Sequence, residues 1–68
     1  MRSYECYLLD RSGRVATTRE MEAPNDAAAL WAARFILRAD RRYRGFELWR
    51  EDRRLAAGRE AGPRPALH

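Results

Sequence analysis

Ser3-Tyr4-Glu5-Cys6-Tyr7-Leu8-Leu9-Asp10-Arg11-Ser12-Gly13-Arg14-Val15 is the stretch on which the fold turns. Its first seven residues are strand formers that alternate. Tyr4, Cys6 and Leu8 fall on one face, and Glu5, Tyr7 and Leu9 on the other. Asp10-Arg11-Ser12-Gly13 then has the chemistry of a tight turn, because Asp bonds the backbone ahead of it and Gly takes the positive φ that closes a short hairpin. A second strand, Arg14 to about Glu22, carries Val15, Thr17, Thr18 and Met21. Arg19 shares the parity of Val15 and Met21, so a bulge is expected near Thr18–Glu20.

Working outward, Ala23-Pro24-Asn25 ends the hairpin, and Asn25 suits a helix N-cap with Asp26 complementing the positive end of the dipole. From Asp26 to about Ala39 the residues are helix formers without Gly or Pro. At about 100° per residue, Arg34, Arg38 and Arg41 share one stripe. Ala28, Ala29, Ala32 and Ile36 lie opposite, flanked by Ala33 and Phe35, and Phe35, Ile36 and Leu37 are expected to fill the far end of the core. Leu30 and Trp31 border the arginine stripe, either capped by loops or left for a partner. After a polar exit through Asp40 to Gly45, Phe46–Arg50 reads as a third strand, with Phe46 and Leu48 toward the helix and Trp49 away. Glu51-Asp52-Arg53 turns the chain into a short fourth strand, Arg54–Ala57.

These elements assemble by rule into a single α+β domain of ββαβ(β) form. A right-handed crossover over the helix brings strand 3 beside strand 1, antiparallel to it. The expected sheet is antiparallel with three to four strands, order 2-1-3 plus 4 if formed, and one helix on one face. The domain spans residues 1–57, and 58–68, with two Gly and two Pro, reads as a flexible C-terminal tail.

The runs YECYLLDRSGRV, APNDAAALWAARFIL and GFELWREDRRL together resemble short bacterial proteins of unknown function that share this strand-hairpin, Asp-Ala-Ala-Ala helix and aromatic-bearing final strand. The resemblance covers about residues 3–56 and implies the ββαβ(β) fold. It implies no activity, site residue or cofactor.

At 68 residues and 8.0 kDa there is room for one domain, and a chain of this size hides only about 60% of its unfolded surface. An apolar share of 46% argues against wholesale disorder despite 35% charged residues. No apolar run is long enough for a bilayer, and charges in Met1–Asp10 replace the apolar stretch of a signal peptide, so a cytoplasmic protein is expected. All 14 basic residues are arginine, which reflects either coding bias or a binding role. Residues 1–33 hold four arginines against five acids, and residues 34–68 ten against five. The excess therefore lies in the second half.

Catalysis is not expected. The one histidine is His68, at the last position, and Cys6 has strand parity that makes it a core thiol rather than a nucleophile. No metal-ligand spacing and no Gly-rich phosphate loop occurs, so neither metal nor cofactor is expected. Two binding readings stand. The leading one is a non-enzymatic protein-interaction or regulatory module, a homodimer, meeting its partner through Tyr7, Leu9, Leu30, Trp31 and Trp49. The alternative is phosphate or nucleic-acid binding by Arg11, Arg14, Arg38, Arg41, Arg42 and Arg44, gathered where the hairpin turn meets the helix C-terminus.

Overall fold

A computed structural model of the chain describes residues 1–59. Four strands and one helix follow in the order β1 (Arg2–Leu9), β2 (Val15–Ala23), α1 (Asp26–Ala39), β3 (Gly45–Arg50) and β4 (Arg53–Arg59). The strands form one antiparallel sheet of order β2-β1-β3-β4, with α1 packed on one face. The fourth strand forms and runs to Arg59, so Gly58 and Arg59 belong to the sheet. The remainder of the expected tail lies outside the described residues.

Local chemistry sets each boundary. Asp10 Oδ1 accepts from the Ser12 N–H at 2.8 Å, the Ser12 hydroxyl at 2.6 Å and the Arg14 N–H at 3.1 Å. The Asp10 carbonyl accepts from Gly13 at 3.0 Å, and Gly13 has φ +86°, as a three-residue hairpin loop closed by a left-handed residue requires. Asn25 caps α1, its side-chain oxygen accepting from the Ala28 N–H at 2.8 Å.

The core lies between α1 and the sheet. Tyr4, Cys6 and Leu8 from β1 and Phe46 and Leu48 from β3 meet Ala29, Ala33 and Leu37 from α1. Phe46 and Leu48 are each 1% exposed, so β3 has the expected register, with Trp49 on the opposite side. The helix face agrees with the expectation in part. Ala29, Ala33 and Leu37 are buried as expected, whereas Ala32 and Phe35 are exposed, Phe35 by 70%. The helix is rotated by most of one residue step relative to the expected face, which leaves Phe35 at the surface while Leu37 joins Tyr43 and Phe46 in the buried cluster. Tyr43, placed by the sequence reading in a polar connection, is buried.

The bulge also lies elsewhere. Pairing is regular from Arg2↔Ala23 to Leu8↔Thr17 and then slips, so Ala16 is the extra residue and Val15 pairs with Leu9. Arg19 thus keeps true alternation and sits opposite Cys6 on the helix side, tolerable because β2 is an edge strand where a long side chain reaches water.

Candidate functional site

The sheet face away from the helix can be read row by row from the register. Paired residues of an antiparallel sheet share a face. Glu22 and Ser3 form the first row, and Glu20, Glu5, Trp49 and Arg54 the second. Thr18, Tyr7, Glu47 and Ala57 form the third, and Val15, Leu9, Gly45 and Arg59 the fourth. Tyr7 and Trp49, diagonal neighbours in the middle, meet edge to face with centroids 6.2 Å apart and planes at 74°. Each ring is tethered by a carboxylate on its own strand. The Tyr7 hydroxyl donates to Glu5 Oε1 at 3.2 Å and the Trp49 indole N–H to Glu47 Oε1 at 3.1 Å. The bond to Glu5, then its charge, raises the Tyr7 hydroxyl above its ordinary pKa. Arg54 stands 3.6 Å from Glu47. Tyr7, Leu9 and Trp49 are half-buried, so this face is an ordered aromatic platform rather than loose apolar surface.

The two ends of the platform carry opposite charge. Among the described residues, a groove at the β1 N-terminal end is lined by Glu5, Glu20, Glu22, Glu51 and Asp52 and by no arginine. Of the arginines near that end, Arg54 shares the second row and is matched by Glu47, Arg2 pairs with Asp26 at 3.6 Å, and Arg50 and Arg53 act on the Asp26 carboxylate, which belongs to the helix. The groove at the hairpin-turn end is lined by Arg11, Arg44 and Arg59 beside Leu9, Gly45 and Ala57. Its two acids among the described residues are both engaged, Asp10 by the turn and Glu47 by Trp49 and Arg54.

The expected arginine cluster is divided. Its premise of a shared end holds, since the Arg44 N–H donates to the Leu9 carbonyl at 2.8 Å. Arg42 is committed to structure: its guanidinium holds Asp40 through bonds of 2.6 and 3.0 Å and lies 5.4 Å from the Tyr43 ring centroid. That bond, more than any other influence, lowers the Asp40 carboxyl to about 2. Arg38 belongs to a different groove, between α1 and β4. Arg14 and Arg41 are exposed and form no ion pair among the described residues. Arg11 and Arg44 are thus brought together, joined by Arg59, which the sequence reading left in the tail.

Of the helix candidates, Leu30 packs partly against the core, while Trp31 is 70% exposed. Phe35, one turn on and missed as a surface residue, is equally bare. Cys6 is buried, and burial raises its thiol to about 11, leaving it a poor nucleophile. Among the described residues no group of His, Cys, Asp and Glu is arranged to hold a metal ion, and no helix is long and apolar enough to cross a membrane.

No family model matches this chain, and no curated protein and no solved structure matches it at a significant level.

Proposed function

We propose that this chain is a non-enzymatic interaction module of the cytoplasm that forms a homodimer by stacking two copies of the open sheet face. The observation that carries the reading is the order of charge along that face: acid, aromatic pair, arginine. Related by a two-fold axis across the strands, two such faces run in opposite directions. Each acidic groove then meets the partner's arginine groove, and Tyr7, Leu9 and Trp49 are covered in the middle. A parallel stack would set like charges together and is disfavoured. The unpaired thiol of Cys6 suits a reducing compartment.

Magnitudes set the expected affinity. Four strands about 4.8 Å apart and about six residues long cover roughly 400 Å² in projection. A standard interface buries about 800 Å² per partner, so association in the micromolar range is expected.

A charge exchange tests the reading by sedimentation equilibrium. The parent chain should dimerise, and Glu20→Arg/Glu22→Arg and Arg11→Glu/Arg44→Glu should each weaken self-association about tenfold or more through like-charge contacts. Mixed together, the two variants should form a heterodimer, because the arginines introduced in one then face the glutamates introduced in the other while the unaltered ends stay complementary. A parent that stays monomeric at several hundred micromolar, or variants that do not recover one another, would refute the sheet-face dimer.

A further inference from the structure

The groove between α1 and β4 shares Arg59 with the hairpin-turn groove, but its helix side chains are ones the sheet-face dimer does not use. Trp31, Phe35, Arg34 and Arg38 line it from the helix, and Phe46 and Arg59 from the sheet. It encloses about 520 Å³. Arg34 and Arg38 border it together with the rings of Trp31 and Phe35, which are each 70% exposed, and among the described residues no carboxylate does. Asp40, two residues beyond Arg38, is held by Arg42. Neither Arg34, Arg38 nor Arg59 forms an ion pair among the described residues.

The spacing is regular. Trp31 is followed by Arg34 and Phe35 by Arg38, so an aromatic–cation pair repeats after four residues, about 6 Å along the helix axis. At about 100° per residue, Trp31 lies about 200° from Ala33 in the core, so the ladder forms the solvent-facing rim of the groove.

This composition selects an occupant. A second copy docked here about a two-fold axis would set its own Arg34 and Arg38 against those of the first, which repel. An acidic peptide would satisfy the guanidiniums but leave the rings without flat partners. A chain that alternates flat π surfaces with negative charges satisfies both. We infer that the α1–β4 groove binds single-stranded nucleic acid, its bases stacking on Trp31 and Phe35 and its phosphates held by Arg34 and Arg38. The site is on the opposite side of the sheet from the dimer surface and stands or falls separately from it.

The test is fluorescence anisotropy of the full chain with a labelled dodecathymidylate, with a poly-glutamate peptide of equal charge as comparison. Binding of the oligonucleotide should weaken steeply between about 50 and about 200 mM salt as counterions are released. Trp31→Ala and Phe35→Ala should each reduce affinity about tenfold while leaving the circular dichroism spectrum unchanged. Arg34→Ala/Arg38→Ala should flatten the salt dependence by about two phosphate contacts. Three results would overturn the inference. They are no oligonucleotide binding at low salt, poly-glutamate binding as tight and indifferent to Trp31→Ala, and loss of binding in Arg11→Glu/Arg44→Glu but not in the aromatic variants. The second points to an acidic-protein surface and the third to the hairpin-turn arginines.

Discussion

Gly58 shows how much a single hydrogen can decide in a small core. A Cβ built there would stand 2.3 Å from Cε1 of Phe46, whose ring is 1% exposed and has nowhere to move. Gly58→Ala should therefore cost roughly 1–3 kcal/mol of stability through overpacking, read as a lower urea midpoint with an unchanged slope. In a domain this small that is a large share of the total. Nothing in Gly58's neighbourhood along the chain announces this role. Gly58-Arg59-Glu60-Ala61-Gly62-Pro63 has the composition of a tail, and the need for glycine comes from a ring on another strand. The same holds for the β3–β4 turn, Glu51-Asp52. It lacks a turn-forming glycine or asparagine, and Glu51 takes φ +56° regardless, drawn there by the pairing of Arg50 with Arg53.

Among the elements, α1 was legible in extent and only in part in orientation, since Ala29, Ala33 and Leu37 face inward as expected but Ala32 and Phe35 do not. Its cap and its unbroken run of helix formers mark Asp26 to Ala39. Its face is another matter, since Ala27, Ala28, Ala29, Ala32, Ala33 and Ala39 spread small apolar residues around most of the circumference. Any of several rotations buries alanine, and the choice goes to the one that places Leu37 beside Tyr43 and Phe46 in the core. Two substitutions separate the alternatives. Leu37→Ala should cost about 2–5 kcal/mol as a core cavity, and Phe35→Ala should stay within about 0.5 kcal/mol, both read from denaturant unfolding. Comparable losses in the two variants would mean the helix sits as its periodicity first suggested. The bulge at Ala16 follows the same logic: alternation breaks at Arg19 on paper, yet it is pairing with β1 that decides where the extra residue goes.

For the molecule as a whole, acid is the informative variable. Folding lowers three carboxyls from their ordinary value of 3.8: Asp10, chiefly by the Ser12 hydroxyl, Asp26, chiefly by the Tyr4 hydroxyl at 2.6 Å, and Asp40, to about 2, chiefly by Arg42. Each is ionised over a range where the unfolded chain already binds the proton. Their stabilisation is present above pH 4 and is lost as pH falls toward 2. Denaturation midpoints should change little between about pH 7 and 5 and drop below about pH 4, and Asp40→Asn should reduce that drop. All three groups are reached by solvent, so added salt should shrink the effect. Salt should also weaken the sheet-face dimer only in part, because the covered Tyr7, Leu9 and Trp49 contribute without screening.

The alternation of Ser3–Leu9, the Asp-to-Gly turn, the Asn25 cap and the parity of Phe46, Leu48 and Trp49 determined the ββαββ order and which strand faces look inward. Those are local rules, satisfied by residues close together in the chain. The rotation of α1, the place of the bulge, the burial of Tyr43 and the sorting of the arginines into Arg42 for Asp40, Arg11 with Arg44, and Arg34 with Arg38 were decided only in three dimensions. Each depends on volume or charge supplied by a different strand, and local periodicity is silent where alanine and arginine recur on nearly every turn.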